Sequence, residues 1–208
     1  VRPAAMTYNP NTNTIYMTNY NTGGGDANIA CFIPNSPSSF LNPSCVFMST
    51  GGFPGNYPTS EFISTNTVSN KMYAWGQNSL GVGNILVYNF ATSITTAIPG
   101  VANIDTKQSA FVYNPTLNKM YATSTTGVTT GEITIIDGVT NSASIVNGLP
   151  IIYQFQPAFN STNNTIYLAG TSNTVKVFNC NTNTITASIP IGSQVSSLVY
   201  KSSTNQIF

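Results

Sequence analysis

Apolar and polar positions along this chain are arranged in short runs, and no stretch carries a helical period. Ala110-Phe111-Val112-Tyr113 reads as a strand, Pro115-Thr116-Leu117-Asn118 as a turn, and Lys119 to Thr123 as a returning strand. Glu132-Ile133-Thr134-Ile135-Ile136-Asp137 is a third, β-branched run. Gly138-Val139-Thr140-Asn141 turns again, and Ser142 to Val146 is a fourth. Short runs rich in Ile, Val, Thr and Tyr, bounded by Asn, Gly and Pro, predict strands throughout. Pro99-Gly100, Pro150 and Pro190-Ile191-Gly192 close the fourth strands, where proline cannot continue a ladder.

The pattern recurs. Tyr8-Asn9-Pro10-Asn11-Thr12-Asn13-Thr14-Ile15-Tyr16 returns in altered form from Tyr113 to Tyr121 and from Phe159 to Tyr167. Aligning on the second aromatic puts Tyr16, Tyr73, Tyr121, Tyr167 and Phe208 in register, with gaps of 57, 48, 46 and 41 residues. Three residues earlier stands Asn13, Asn70, Asn118, Asn164 or Asn205, and one residue earlier is always Ile or Met. Such spacing lies within or near the range of four-stranded propeller blades. One such sheet has two apolar faces and cannot be stable alone. Radial stacking buries both faces and leaves only short outer edges. The expected fold is all-β: a β-propeller of four-stranded antiparallel blades, with a solenoid of the same sheets as the alternative. The blades fall at about 4–52, 58–105, 108–152 and 155–193, and 194–208 supplies two strands of a fifth. Asparagine tolerates a left-handed backbone and bonds its own main chain, which accounts for its place in the hairpins.

"YNPNTNTIYMTNYN", "VYNPTLNKMYATS" with "ITIIDGVTN", and "FNCNTNTITASIPIG" resemble the YVTN-type β-propeller repeat. That repeat is abundant in archaeal and bacterial surface-layer and other extracellular proteins. The resemblance covers nearly the whole chain and is specific for the repeat, not for a function. The second copy departs most, with Thr65 at the first aromatic and no proline. The resemblance implies about seven blades, so that these residues form part of a longer protein. It also implies a surface or extracellular location, on a cell, an appendage or a virion, with other protein subunits or surface proteins as partners.

Charged residues are scarce. Only Asp26, Glu61, Asp105, Glu132 and Asp137 are acidic, and only Arg2, Lys71, Lys107, Lys119, Lys176 and Lys201 are basic. Ordinary domains carry roughly a quarter charged residues, so this surface is built from Asn, Thr, Ser, Gly and Gln. A net charge of +1 without a basic cluster offers no counterion release, which argues against nucleic acid as a partner. The absence of histidine removes the commonest general base and the commonest zinc ligand. No apolar run in this segment approaches the roughly 20 residues that cross a bilayer as a helix.

Few residues could carry chemistry. Cys31 and Cys45 flank a lengthened hairpin that the other repeats lack, an arrangement that suits a disulfide in an oxidising compartment. Two unpaired thiols are the alternative. Cys180 is left over at a turn, either free or paired outside the segment, with no base beside it. Asp26, after Gly23-Gly24-Gly25, sits in a loop that could cradle an anion or calcium, but one carboxylate is thin for calcium and no helix follows. Asn160 and Asn163 open two glycosylation sequons in an exposed turn. Loops expected at one end of the blades collect Tyr20, Asp26, Phe53, Tyr57, Trp75, Gln77 and Asn78. Aromatic faces beside amides suit sugar rings or a neighbouring protein. No catalytic residue, metal site or cofactor is expected.

The expected function is a non-enzymatic extracellular module for surface or filament assembly, or for adhesion. A carbohydrate-binding lectin is the alternative. A propeller lyase or quinone-dependent dehydrogenase would need its active site in further blades. Acid denaturation works mainly by protonating paired carboxylates and charging buried histidines, and here there is little of either. The unfolding midpoint is therefore expected to move little between neutral pH and about pH 3; a sharp fall in calorimetry over that range would contradict the expectation.

Overall fold

The computed structural model describes residues 2–20, 29–32, 63–77, 83–98, 101, 110–125, 130–151, 156–195 and 197–208. They form antiparallel meanders, each strand pairing with the next in sequence. The chain divides into two compact units, Val1–Thr106 and Lys107–Phe208, between the second and third sequence repeats.

The first unit holds a sheet of β1 (Arg2–Asn9), β2 (Thr14–Tyr20) and β3 (Ile29–Phe32). Its second sheet orders β4 (Ile63–Asn66), β5 (Lys71–Gln77), β6 (Gly83–Asn89) and β7 (Ile94–Ala97). In the second unit one sheet comprises β8 (Ala110–Asn114), β9 (Lys119–Thr125), β10 (Gly131–Asp137) and β11 (Ala143–Leu149). The next comprises β12 (Ala158–Asn160), β13 (Thr165–Gly170), β14 (Thr174–Asn179) and β15 (Thr184–Pro190). A hairpin of β16 (Tyr200–Lys201) and β17 (Gln206–Ile207) follows, with a 3-10 turn at Ser202–Thr204 between its strands. The four-stranded antiparallel repeat read from the sequence is thus present.

Burial grades across each sheet. The first strands β8 and β12 are mostly buried, whereas the fourth strands β7 and β15 are mostly exposed. Between them the third strands are buried on both faces, as the β-branched run of β10 requires. Fourth strands are therefore the solvent edges. Ladder irregularities at Gly131/Ile133 and at Val177/Phe178 shift the pairing of β11 and β15, a device that bends an edge away from further pairing.

The first hairpin of every copy turns on an asparagine in the left-handed region. Asn13, Asn70, Asn118, Asn164 and Asn205 have φ of 49°, 49°, 50°, 53° and 52°. That conformation costs most L-residues about 1–2 kcal/mol, less for Asn. Ser93, Asn141 and Asn183 play the same part between third and fourth strands.

A second asparagine, at the end of each first strand, is fully buried: Asn9, Asn66 and Asn114 at 0 % and Asn160 at 1 % exposure. Its Oδ1 accepts from its own turn, from Asn11 N (3.0 Å), Ser69 N (2.9 Å), Leu117 N (3.2 Å) or Thr162 N (3.0 Å). In Asn9, Asn114 and Asn160 the Nδ2 crosses to the left-handed asparagine of the following sheet. Asn9 donates to Asn70 Oδ1 (3.4 Å), Asn114 to Asn164 Oδ1 (2.6 Å) and Asn160 to Asn205 Oδ1 (2.9 Å). One amide thereby closes its own hairpin and ties it to the next.

Three apolar clusters fill the spaces between sheets. Tyr16 of the first sheet packs with Ile63, Met72, Ala74, Leu86 and Tyr88 of the second. Val112, Tyr121, Ile133 and Ile135 pack with Ile166, Leu168 and Phe178, with the Tyr121 and Phe178 rings edge to face at 6.1 Å. Ala158, Ala169 and Val175 pack with Val195 and Leu198. Each of these three clusters thus buries several large side chains, at roughly 1.5–3 kcal/mol apiece.

Replacing Asn114 by Ala leaves the Leu117 amide and the Asn164 carbonyl without that partner inside the fold. It is expected to cost about 2–3 kcal/mol, read as a fall of several degrees in the calorimetric midpoint. Asn181→Ala, at an exposed turn, should cost less than about 0.5 kcal/mol.

Candidate functional site

The sequence directs attention to the end of the blades where second strands give way to third. The rim pairs there are Gln77 with Gly83, Thr125 with Gly131, and Gly170 with Thr174. Among the sequence-predicted loop residues, Asp26, Phe53, Tyr57 and Asn78 lie outside the described residues, as does Cys45 and with it the Cys31–Cys45 pairing. Cys31 is placed in β3, opposite Tyr16. Tyr20 ends β2 and pairs with Arg2.

Trp75 and Gln77 require a correction. Both belong to strand β5 rather than to a loop, because β5 and β6 stay paired out to Gln77 and Gly83. Trp75 lies opposite Ile85 and is 2 % exposed, so its ring is core rather than a ligand platform. Its indole Nε1 is buried without a hydrogen-bond partner, which costs about 1–3 kcal/mol. In the fourth sheet the corresponding connection is only Thr171-Ser172-Asn173, with φ of 58° and 53° at Ser172 and Asn173. So short a connection leaves no loop there for a ligand.

The sequons also separate. Asn160 is the buried amide that donates to Asn205, so Nδ2 is occupied in the folded protein. A glycan there would have to be attached before folding and would displace that bond. Asn163 is exposed at the same turn. The exposed-turn expectation therefore holds for Asn163 and fails for Asn160, because the end of the first strand is tied to the next hairpin.

Two buried charged residues in the second unit were not anticipated. Glu132, beside the rim, is 7 % exposed, and its Oε1 accepts from Ser124 Oγ of the paired strand at 3.0 Å. Lys176, 8 % exposed, donates through Nζ to Ser188 Oγ at 2.7 Å. The stem of Lys176 lies over Gly170, where a Cβ would come within 2.7 Å of Lys176 Cε. The only sequence signal was a charge inside a β-branched run, "GEITII" and "TVKVF". Each group is bonded within its own sheet, and among the described residues no second carboxylate is seen beside Glu132. Among the described residues no group of three His, Cys, Asp or Glu could hold a metal ion.

Cys180 is a free thiol, 2 % exposed, at the turn after β14. Burial raises its pKa, an effect that Tyr121, Asn114 and Lys119 only partly offset. The Tyr121 hydroxyl is buried against this thiol and the Asn114 side chain, in neither case at good hydrogen-bond geometry. Its pKa is pushed far above the ordinary value, first by burial and then by Cys180. A thiol held neutral inside the core is a packing group, not a nucleophile.

Asp137 closes the turn after β10. Its Oδ1 accepts from Val139 N (2.9 Å), Thr140 N (2.8 Å) and Thr140 Oγ1 (3.0 Å). The Thr140 amide, then the Thr140 hydroxyl, the Val139 amide and the charge of Lys119 hold its pKa below the ordinary value. In the neighbouring copies Asn89 and Asn179 accept the same kind of bond, from Ala91 N (2.9 Å) and Asn181 N (2.8 Å). Asp137 thus closes an Asx-type turn.

Neither a family model nor a curated protein matches the sequence. Among solved structures, a chain described as "Crystal structure of Nidogen/Laminin Complex" is similar to this one. It matches with a TM-score of 0.60 at 10 % identity, over 95 % of this chain and 67 % of its own length. At that identity the likeness shows the fold alone, a β-propeller-like all-β architecture.

A depressed carboxylate pKa stabilises the folded state above the ordinary carboxylate range and loses that contribution as pH falls through the folded value. Asp137→Asn is therefore expected to stay within about 0.5 kcal/mol of the parent at neutral pH and to show a flatter midpoint-versus-pH curve below about pH 4. A variant as acid-sensitive as the parent would show that Asp137 is not the titrating group.

Proposed function

We propose that this chain is a non-enzymatic, extracellular β-propeller module of the YVTN-repeat type, about four and a half blades of a roughly seven-bladed propeller. Its work is surface or filament assembly, or adhesion, through contacts with other proteins. The observation that carries the reading is the nature of the exposed surface. The hairpins and outer strands present Asn, Thr and Ser, with five acidic and six basic residues in 208. Such a coat keeps its character when pH and ionic strength change, as an exterior protein requires.

Protein partners accord with the solved neighbour, which belongs to a complex of two proteins. The lectin reading rested on exposed aromatics, and Trp75 is core. Exposed Asn163 is the residue on which a surface glycan would sit.

The test is protease shaving of intact source cells or particles with a broad-specificity protease, followed by immunodetection. Loss of the protein from intact material supports the proposal. Full protection until lysis overturns it.

A further inference from the structure

The sheets bury their two faces by a fixed rule. The face bearing the second-strand aromatic covers the following sheet, as Tyr16 covers Ile63, Met72 and Ala74, and as Val112 and Tyr121 cover Ile166 and Leu168. The opposite face of each following sheet receives it. In the last hairpin Leu198, Tyr200 and Ile207 receive Ala158 and Tyr167 in the same way. Hydrogen bonds accompany the packing: the buried asparagine donates to the left-handed one, and Thr162 Oγ1 meets Tyr200 Oη at 2.8 Å.

The first sheet has a receiving face of the same composition. Met6 pairs with Met17 and Tyr8 with Ile15, so the four side chains share one face. They occupy the register positions of Ile63, Ala74, Thr65 and Met72 in the second sheet, of which Met72 and Ala74 are 0 % exposed. Met6 is nevertheless 65 % and Tyr8 49 % exposed. Asn13 completes the likeness. It has the left-handed conformation of Asn70, Asn164 and Asn205, but its Oδ1 takes a bond from Tyr8 Oη (2.9 Å) within its own hairpin.

We propose that this face is an interface built to receive one further blade of the same repeat on the same polypeptide. The blade presents a second-strand aromatic over Met6 and Met17 and a first-strand side-chain amide to Asn13 Oδ1. Continuity with the internal interfaces selects this occupant, since the same positions are filled that way wherever a preceding sheet is seen within a unit. The solved neighbour is longer than the match, with 67 % of its length covered. The inference rests on the propeller part of the proposed function and not on its location, so the two can fail separately.

The test is methionine oxidation on the full-length natural protein, titrated with peroxide and read by mass spectrometry. Met72 and Met120, both 0 % exposed, serve as internal references. Met6 and Met17 are expected to oxidise as slowly as those two, at all protein concentrations. Met6 oxidised at least tenfold faster than Met72 overturns the proposal. Protection that disappears on dilution also overturns it, because the cover would then be a second copy.

Discussion

A buried asparagine at the end of each first strand is the constraint on which the fold turns. A polar amide can lie at 0 % exposure only if both its ends are bonded. Here Oδ1 is satisfied by the hairpin that follows it and Nδ2 by the hairpin of the next sheet. Sequence-local geometry and sheet-to-sheet registry are thus set by one side chain. No other residue has an acceptor and a donor at that reach. Aspartate would lose the donor, and glutamine would hold its amide one methylene too far out. The fifth copy carries Lys201 at this position, and there the turn has become 3-10.

The hairpins, strand limits and core alternation were legible because each is written in local chemistry and repeated. Ala110 to Val146 read as four strands, and β8 to β11 follow those limits within a few residues. The left-handed asparagines were legible for the same reason. Residues whose role depends on a neighbouring sheet were not. Asn160 read as a sequon because its sequence environment, Asn-Ser-Thr, has no mark of the bond to Asn205 45 residues away. Trp75 read as a loop residue because Gly76 and Gln77 follow it, yet the ladder to β6 carries the strand past them. Glu132 and Lys176 could not be assigned burial from composition, since each is buried through a serine on the adjacent strand.

Charge and burial take complementary roles in this chain. Ionisable groups are few, and Glu132 and Lys176 inside the sheets of the second unit are each held by a local bond to a serine. The exterior is left to hydroxyls and amides, whose interactions are short-ranged and indifferent to salt. A surface of this kind gives little long-range steering, so association through it depends on shape and on close hydrogen bonding.

Within each unit, the face that one sheet turns to the next has the same composition from copy to copy, so the copies share one packing chemistry. The smallest alteration that leaves every border matched is then a whole repeat of some 46 residues, Tyr121 to Tyr167 being one period. Duplication or loss in that unit conserves the packing chemistry, whereas an insertion of any other length must be absorbed in a loop.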